Sequence, residues 1–362
     1  MEKGKVVLEF DNTKSFNGDG KHVRDGLSAA FRTGNYLWVS CDERSSLERL
    51  KLTSENTYSE HESYELNKFL SLPGGADCEI DIEGLGHNGN YLWLVGSHSL
   101  ARKKPRKTDP PAKQIKRLAK LKEDPNRYLL ARIPLVADKN TGEYKLYKSC
   151  PDPNNPKKLL TAAQLLGDAK SNELLDVMRD DIHFKDFMRI PGKDNGFDIE
   201  GLAISGDKIF LGIRGPVLRG WASVLEINVK DIGADTFRLK PDHCGKLYKK
   251  HFLHLEGMGV RELRVSGDDL LILAGPSMDL DGTIAVYRWP YALKKEEESI
   301  VHRKELQRLF DVPHGFGETS GQDKAEGMAL MDENTVLVVF DSPTDNRKPD
   351  DKCVVADLFA IS

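Results

Sequence analysis

One short motif recurs along the chain and constrains its fold more than any other feature. The motif is a carboxylate, a glycine and a hydrophobic residue, followed after a turn by an apolar, strand-like run. We identify five copies: Asp25-Gly26-Leu27, Glu83-Gly84-Leu85, Glu200-Gly201-Leu202, Arg261-Glu262-Leu263 and Glu326-Gly327-Met328. In the fourth copy Glu262 stands at the glycine position, and an insertion separates the second copy from the third. Such a short unit cannot bury its apolar face alone, so repeats of this kind pack against their neighbours.

The residues around each motif predict the fold. Turn residues between apolar runs predict a β-hairpin in every copy, and later runs predict a third and often a fourth strand. Antiparallel units of this size are typical of propeller blades, so we predict an all-β, five-bladed β-propeller. A six-bladed propeller, with a degenerate blade within residues 101–190, is the alternative. Residues 6–10 are expected to supply the outer strand of the last blade, beside residues 354–359, which removes two exposed sheet edges.

The repeat also predicts how the chain is divided. Length alone suggests about two domains of ~150 residues, but five units and their insertions account for all 362 residues as a single domain, 1–362. One insertion, 101–127, is strongly basic. A second, 151–190, is predicted to be helical, because residues 159–187 place apolar side chains at helical spacing after three prolines.

Composition excludes several classes of protein. Lys and Arg total 53 and Asp and Glu total 57, so the net charge of −4 shows no basic excess of the kind that indicates a nucleic-acid-binding protein. No apolar run reaches the ~18–20 residues that a membrane span needs, and no membrane partner is expected. The N-terminal residues show no secretory signal, and the five cysteines show no CxxC spacing. We therefore expect a cytoplasmic protein with reduced thiols.

The motif carboxylates are the first candidates for chemistry. Inner strands of a propeller line its channel, so Asp25, Glu83, Glu200, Glu262 and Glu326 are expected to form a ring. Crowded carboxylates repel one another unless cations intervene. A hard cation such as Ca²⁺ or Mg²⁺ would take oxygen ligands there, which makes Asp25, Glu83, Glu200 and Glu326 candidate metal ligands and Glu200 a candidate catalytic residue. In the alternative, arginines pair with the carboxylates and the motif only organises turns.

Polar residues beside the motifs and at the ends of the following strands are candidate ligand-binding groups, because they are expected at one channel mouth. The candidates are Arg24, Asp42, Glu43, Arg214, Arg219, Arg261 and Asp341. Arg214 and Arg219 are suited to clamp a phosphate through bidentate bonds. His98, which follows the second-copy strand, is a candidate general base, although a lone histidine is more often structural.

The segment 102–122 contains ten Lys or Arg residues and one acidic residue, Asp109. Such a patch could attract an anionic small molecule or the phosphates of a nucleic acid. No aromatic residue lies within 102–122, so a base-stacking surface is missing and a nucleic acid is the less favoured partner. A solvated helix without a partner is the simpler interpretation.

Several stretches of the chain carry a family resemblance. They are Asp198-Ile199-Glu200-Gly201-Leu202, residues 212–222, Ser97-His98-Ser99 and residues 126–132. Together they resemble an uncharacterised bacterial family, domain of unknown function 3616, over most of the chain. More distantly, Asp25-Gly26-Leu27 followed by Asp42-Glu43 is similar to a pattern of the phytase-like and SdiA-regulated propellers. That similarity implies a propeller with metal-associated acidic sites, but a fold does not fix an activity.

Two hypotheses of function follow. The first is a metal-assisted hydrolase acting on a phosphate-bearing small molecule at the channel mouth, where the cation would polarise a phosphoryl oxygen and activate water. The second is a non-enzymatic propeller that binds a ligand or serves as a protein-interaction scaffold. Walker A, Rossmann, HExxH and GxSxG motifs are absent from the sequence, so the common nucleotide-binding, zinc-protease and α/β-hydrolase interpretations lack support.

Overall fold

The computed structural model describes residues 2–75 and 78–362. The described residues form several β-sheets joined by turns and short helices, which confirms the prediction of a mostly β protein. Among these residues, no helix has both the length and the apolar character that a bilayer crossing requires.

The first repeat unit follows an N-terminal strand. The strands are β1 (Glu2–Glu9), β2 (Leu27–Thr33), β3 (Tyr36–Cys41), β4 (Ser46–Ser54) and β5 (Thr57–Glu65). The strands β2 to β5 form an antiparallel meander in chain order. Apolar residues dominate β2 and β3, and both strands are buried almost throughout, as expected for strands enclosed on both faces.

The second unit contains both insertions. Its elements are β6 (Ile82–Asn88), β7 (Tyr91–Gly96), β8 (Ala101–Arg102), α1 (Pro111–Leu118), β9 (Leu121–Lys122), β10 (Leu130–Ala137), β11 (Tyr144–Leu146), β12 (Ser149–Asp152), β13 (Asn155–Thr161), β14 (Ala163–Leu165) and α2 (Glu173–Arg179). The strands β6, β7, β10 and β14 pair in that order, and β11 also pairs with β10.

The remaining three units repeat the hairpin pattern. The third contains β15 (Asp198–Ser205), β16 (Lys208–Leu218), β17 (Trp221–Ile227), β18 (Val229–Asp231), β19 (Thr236–Leu239) and β20 (Tyr248–Leu253). The fourth contains β21 (Gly259–Ser266), β22 (Asp269–Gly275), β23 (Ile284–Trp289), β24 (Ser299–Val301) and β25 (Gln307–Val312). The fifth contains β26 (Lys324–Asp332), β27 (Thr335–Asp341) and β28 (Cys353–Ala360).

Short 3-10 helices connect several of these strands. They are Val23–Asp25, Leu66–Lys68, Pro125–Tyr128, Lys185–Phe187, Ala292–Lys294, Arg303–Glu305, Gly317–Thr319 and Asp345–Arg347. Two units also add a strand or a strand pair to the sheet of the preceding unit. The pair β18–β19 of the third unit continues the second sheet through β14, and β24 adds to the third sheet beside β20.

The N-terminal strand completes the last unit, as predicted. β1 pairs antiparallel with β28, with Val6 opposite Ala356, and so becomes the outer strand of the fifth unit. Its other edge makes a short parallel pairing with β5, where Val7 lies opposite Thr57. The first and fifth units therefore share one eight-stranded sheet, in the order β2-β3-β4-β5-β1-β28-β27-β26.

The first strands of the five units pack beside one another in a closed series. β2 lies beside β6, β6 beside β15, β15 beside β21, β21 beside β26, and β26 again beside β2. The motif glycines allow this approach. A Cβ on Gly84 would lie 2.6 Å from the Cβ of Leu202 in the next unit, and a Cβ on Gly201 would lie 2.9 Å from Leu263 Cγ. Side chains at these glycines would force neighbouring units apart.

A β-bulge interrupts the first hairpin of every unit at one equivalent position. The pairing register shifts at Ser28, Glu83, Glu200, Arg261 and Glu326, and each of these residues lacks a partner on the second strand. A bulge places an extra residue in one strand and redirects its side chain. The bulge therefore defines the true alignment of the five copies.

The prediction of a helix over 159–187 is wrong for most of its length. Only Glu173–Arg179 is α-helical, whereas β13 and β14 occupy the earlier part. Burial alternates there with a period of two: Ala163 and Leu165 are buried and Gln164 between them is not. Strand β14 pairs with β10 on one side and with β19 on the other. These strand pairings determine its conformation more strongly than the helical spacing of its apolar residues does.

Candidate functional site

A cavity of about 1060 Å³ opens at one end of the first strands. All units contribute to its wall, together with residues 101–105 and Leu118 of the basic insertion. The charged residues that line it are Lys21, Asp25, Asp42, Glu43, Arg44, Glu79, Asp81, Glu83, Arg102, Lys103, Lys104, Arg127, Lys193, Asp194, Asp198, Arg214, Asp279, Asp341 and Lys348. No aromatic ring other than that of His22 is part of the described lining. Charged side chains thus make up most of the described cavity lining.

Two carboxylates from different units meet at Gly26. Asp42 follows β3 of the first unit, and Asp341 ends β27 of the fifth. A Cβ on Gly26 would lie 2.9 Å from Asp42 Oδ1 and 3.8 Å from Asp341 Oδ1, so the two carboxyl groups are close neighbours. The bridge between Gly26 and Asp341 joins the two units at this point. The glycine is required here because any side chain would displace one of the carboxylates.

The two carboxyl groups differ in proton affinity. Enclosure by protein, and then the charges of Asp341, Asp81 and Glu326, raise the pKa of Asp42 well above its ordinary value. Enclosure, and then the charge of Glu326, raises the pKa of Asp341 to about 6. Because the pKa of Asp42 is the more strongly raised of the two, Asp341 is the first to ionise as the pH rises. Neighbouring carboxyl groups whose pKa values are separated in this way are typical of acid–base pairs.

Lys193 lies among these acids. It lines the cavity, and its ammonium group makes no hydrogen bond or ion pair with the described residues. Although enclosure favours the neutral amine, the carboxylates of Glu326, Asp42 and Asp81 outweigh it and raise the pKa of Lys193 above its ordinary value. The side chain therefore stays protonated and offers an unpaired positive charge to a ligand.

The expected carboxylate ring is only partly correct. The bulge positions place Glu83, Glu200 and Glu326 together as predicted, but the first copy contributes Ser28 and the fourth contributes Arg261. Asp25 lies three residues before the first bulge, in a 3-10 helix at the cavity rim, with its side chain 43% exposed. The sequence Asp25-Gly26-Leu27 imitates the motif out of register, because the true position carries neither glutamate nor glycine.

Glu262 is also misplaced in the predicted ring. Its Oε2 pairs with Arg264 at 2.7 Å, and its Oε1 accepts the backbone N–H of Leu263 at 2.9 Å. Burial raises the pKa of Glu262 to about 8, against the opposing effect of Arg264. This carboxyl group joins neighbouring strands and does not line the cavity.

The three glutamates at bulge positions, Glu83, Glu200 and Glu326, are the ring glutamates. Arginines form ion pairs with two of them. Arg214 Nη1 lies 2.5 Å from Glu200 Oε1, and Arg261 Nη1 lies 2.9 Å from Glu326 Oε1 and 3.9 Å from Glu200 Oε2. Both arginines and Glu200 are buried. Charges removed from water persist only when paired, and here the pairing links three consecutive units. The side-chain network therefore supports the alternative in which arginines pair with these two glutamates and the glutamates serve the fold.

Glu83 differs from the other two glutamates. It is buried against the cavity and makes no hydrogen bond or ion pair with the described residues. Burial, and then the charges of Asp81 and Glu200, raise its pKa well above the ordinary value. Burial and the neighbouring charges therefore favour the protonated form of Glu83.

A second acidic group sits beside Arg214. Asp198 Oδ2 lies 3.5 Å from Arg214 Nη1, while its Oδ1 is buried without a hydrogen-bond partner among the described residues. Burial raises the pKa of Asp198 to about 7, against the effect of Arg214. The equivalent residue of the second unit, Asp81, pairs with Arg127 Nη1 at 2.7 Å.

The predicted cation site does not fit this arrangement. Arg214 and Arg261 already neutralise Glu200 and Glu326, and Asp25 lies apart from them at the rim. In the described part of the chain, ligand atoms of three His, Cys, Asp or Glu side chains come within 4.8 Å of one another only at Asp242, His243 and Cys244, in a turn that does not line the cavity. Glu200 and Glu326 therefore already have arginine counter-ions at the place where Ca²⁺ or Mg²⁺ was expected.

His98 does not fit the role of general base. It is buried outside the cavity lining, its Nδ1 lies 2.8 Å from Gly96 O, and its Nε2 lies 2.8 Å from Asn172 Nδ2. Burial lowers the pKa of His98 to about 4, so the ring is neutral, with Nδ1–H donating and Nε2 accepting. Asn172 caps α2, and His98 thus helps to anchor that helix.

The other candidates divide between the cavity and the surface. Glu43 lines the rim and pairs with Lys21. Arg24 does not line the cavity, and its Nη1 donates to the carbonyl oxygens of Asp350 and Cys353. Arg219 lies exposed in the turn between β16 and β17, so it cannot clamp a phosphate together with the buried Arg214.

Sequence reasoning missed several cavity residues. Asp81 and Asp198 begin the identical stretches Asp-Ile-Glu-Gly-Leu, and this repetition was a usable signal. Lys193 lies in an irregular connection, between the 3-10 helix Lys185–Phe187 and β15, and no pattern identified it. Only the folded chain brings that connection to the cavity.

Comparison with known proteins now places the chain in a family. The family model described as "Protein of unknown function (DUF3616)" matches residues 26–357. The chain belongs to this family. The resemblance expected from the third copy is thereby confirmed, and no curated protein matches the DUF3616 chain.

Solved structures give distant likenesses to the DUF3616 chain. It is similar to a PQQ-bound aldose sugar dehydrogenase from Streptomyces coelicolor, with 11% identity, coverage of 99% of this chain and 98% of that chain, and a TM-score of 0.36. A glycosyl hydrolase from Bacteroides ovatus has 12% identity, coverage of 97% and 90%, and a TM-score of 0.40. The Cps50 (Swd1) β-propeller domain from Myceliophteria thermophila has 8% identity, coverage of 94% and 97%, and a TM-score of 0.31. Likenesses at this level assign no activity to the DUF3616 chain.

Proposed function

We propose that the five units are the blades of a five-bladed β-propeller and that the cavity is the active site of a hydrolase. Its substrate would be a small molecule that carries a phosphate group and several hydroxyl groups. The closed series of first strands supports the five-bladed arrangement. The acid–base pair at Gly26 supports hydrolysis.

The meeting of Asp42 and Asp341 is the observation that carries this proposal. The two carboxyl groups come from different blades, lie together in the cavity wall, and share that wall with the unpaired ammonium group of Lys193. A purely structural carboxylate is expected to pair with a cation, as Glu200 and Glu326 do. Asp42 and Asp341 make no ion pair with the described residues, although Lys193 is near enough to affect the pKa of both.

The reaction follows from the separated pKa values. Ionised Asp341 accepts a proton from a water molecule as that water attacks the phosphorus atom. A bond forms between the water oxygen and phosphorus, the bond from phosphorus to the leaving oxygen breaks, and protonated Asp42 gives its proton to that oxygen. General acid and general base groups of this kind each contribute about 10²–10⁴-fold to a rate. Exchange with solvent then returns the pair to its starting state.

The rest of the cavity suits the proposed substrate. Lys193 and Lys103 line the cavity without a carboxylate partner among the described residues, and each offers a positive charge to phosphate. Carboxylate oxygens along the wall accept hydrogen bonds from hydroxyl groups. A nucleotide fits less well, because the described part of the lining provides no tryptophan, tyrosine or phenylalanine on which a base could stack.

The test is phosphate release from p-nitrophenyl phosphate and from a set of sugar phosphates. We expect Asp341→Asn to lower kcat by about 10²–10⁴-fold. The control is Asp345→Asn, which changes a fully exposed aspartate in a neighbouring turn and should leave kcat unaffected. The wild-type rate should rise with pH through about 6, where Asp341 ionises. Full activity of Asp341→Asn would refute the assignment.

Lys193→Met tests phosphate recognition separately. We expect a higher KM with a smaller change in kcat, because the ammonium group holds the phosphate in both the ground state and the transition state. Lys185→Met, at an exposed position outside the cavity, is the matched control. A change in kcat alone would contradict a role in binding.

A non-enzymatic binding protein is the second candidate. The observation in its favour is the arginine pairing of Glu200 and Glu326, which explains repeated carboxylates without catalysis. Calorimetric titration with inorganic phosphate and with the same sugar phosphates separates the two functions. Binding that Lys193→Met weakens, without phosphate release from any compound, would favour the binding protein over the hydrolase.

A further inference from the structure

The basic arm, residues 101–122, projects from the second unit as a two-stranded hairpin that carries α1. β8 and β9 pair at its base, with Ala101 opposite Lys122. None of the residues of α1 is buried. The arm borders the cavity through residues 101–105 and Leu118, and most of the residues of α1 are exposed.

Helix α1 contacts the rest of the arm through its polar side. Arg117 Nε donates to Lys104 O at 2.7 Å, and Gln114 Nε2 donates to Asp109 O at 2.7 Å. Lys113 Nζ pairs with Asp109 Oδ1, also at 2.7 Å. Gln114 and Arg117 are the least exposed residues of the helix. This orientation is the reverse of the usual one, in which the apolar side of a surface helix faces the protein.

The apolar side of α1 is consequently left in solvent. Pro111, Ile115 and Leu118 lie at positions i, i+4 and i+7 and so share one face. The side chains remain open: Ile115 is 69% exposed and Leu118 46%, and Leu121 just after the helix is 44% exposed. No described residue covers this face, although apolar groups grouped together in water favour burial against a partner.

The arm also carries unpaired cations. Five side chains of the arm make no hydrogen bond or ion pair with the described residues: Lys103, Arg106, Lys107, Lys116 and Lys120. The single acidic residue within 102–122, Asp109, is already paired with Lys113. The arm therefore combines exposed aliphatic side chains with uncompensated positive charge, which is the combination that anionic lipid headgroups attract.

We infer that the basic arm docks on the surface of an anionic lipid bilayer. Ile115 and Leu121 enter the headgroup region, and Lys107, Lys116 and Lys120 contact lipid phosphates. A nucleic acid is less favoured because exposed aliphatic residues gain nothing from a phosphate backbone and the arm has no aromatic residue. The expectation of no membrane partner rested on the lack of a spanning segment, and docking at the interface does not need one.

Flotation of the full-length protein with vesicles tests this inference. We expect binding to vesicles of phosphatidylcholine mixed with phosphatidylserine, strong at low salt and weak at high salt, and no binding to phosphatidylcholine alone. The double variant Ile115→Ser, Leu121→Ser should weaken binding at least tenfold. Its control is Ile182→Ser with Ile300→Ser, which removes two comparably exposed isoleucines elsewhere on the chain.

Charge is tested in the same assay. Lys107→Gln, Lys116→Gln and Lys120→Gln together should abolish flotation, whereas Lys157→Gln with Lys158→Gln, at exposed positions outside the arm, should not. All these positions are exposed, so melting temperatures should stay close to that of the wild type. Failure to float at low salt would overturn the inference. So would a labelled RNA or DNA duplex that binds the wild type and the serine double variant equally, since that result identifies a nucleic acid surface.

Discussion

Replacing Glu200 by glutamine would leave a buried arginine without its closest counter-ion. Glu200 is 3% exposed, and Arg214 Nη1 lies 2.5 Å from its Oε1. Removing one partner of a buried ion pair costs about 3–5 kcal/mol of unfolding free energy. Asp198 lies 3.5 Å from the same arginine nitrogen and retains part of the attraction, which favours the lower end of that range. We therefore expect Glu200→Gln to destabilise the protein by about 3 kcal/mol.

The effect is measurable by thermal melting. With an unfolding entropy of about 2.1 cal/mol/K per residue, a chain of 362 residues should melt about 4 °C lower after a loss of about 3 kcal/mol. Glu333→Gln, at an exposed turn position, is the matched control and should change stability by less than about 0.5 kcal/mol. Combining Glu200→Gln with Arg214→Gln should recover part of the loss, because the partner charge is then removed as well.

One result would refute this reasoning. If Glu200→Gln has the same melting temperature as the wild type, the carboxylate does not stabilise the ring. The ion pairs of Arg214 and Arg261 then do not hold the units together. Loss of phosphate release at an unchanged melting temperature would go further, because it would return Glu200 to the position of candidate catalytic residue.

Three further predictions concern other positions. Gly84→Ala should cost about 1–3 kcal/mol in urea denaturation, because its Cβ would meet the next unit, whereas Gly18→Ala has open space and should be neutral. His98→Ala should cost about 1–3 kcal/mol because the amide of Asn172 loses a buried acceptor, and the pH dependence of phosphate release should not move. Asp341 has a folded pKa of about 6 against an ordinary value of 3.8, so the native state binds more protons between those values. Stability should therefore fall as pH rises through this window, and Asp341→Asn should lack that decrease in pH-dependent denaturation.

Much of the fold was predictable because it depends on local pattern. Turn residues between apolar runs identified the hairpins, and the apolar run at 6–10 identified the strand that completes the last unit. The helical insertion was not predictable in detail. Strand β14 is only three residues long and is held by β10 and β19, which lie far away in the chain, so its local spacing was a poor guide.

The site was predictable only where the motif was intact. Glu83, Glu200 and Glu326 were found because glycine and a hydrophobic residue follow each of them. The first copy was misaligned because Ser28-Ala29 occupies the bulge, and the fourth because Arg261 replaces the carboxylate. A bulge is set by pairing between strands, so a single strand does not reveal which residue it displaces.

The arginine at the fourth bulge, Arg261, explains why some carboxyl groups form ion pairs and others stay available to a ligand. Five carboxylates at the five bulges would repel one another and would require a bound cation. With Arg261 in that position, Glu200 and Glu326 face an arginine of the protein's own chain, and Arg214 adds a second. The charges of Glu200 and Glu326 are therefore neutralised by side chains that cannot exchange with solvent ions. Carboxyl groups without such partners, Asp42 and Asp341, lie further out, where a ligand can reach them. The same repeat thus supplies a rigid ion-paired ring and, at the ends of its second strands, the groups proposed to act on a substrate.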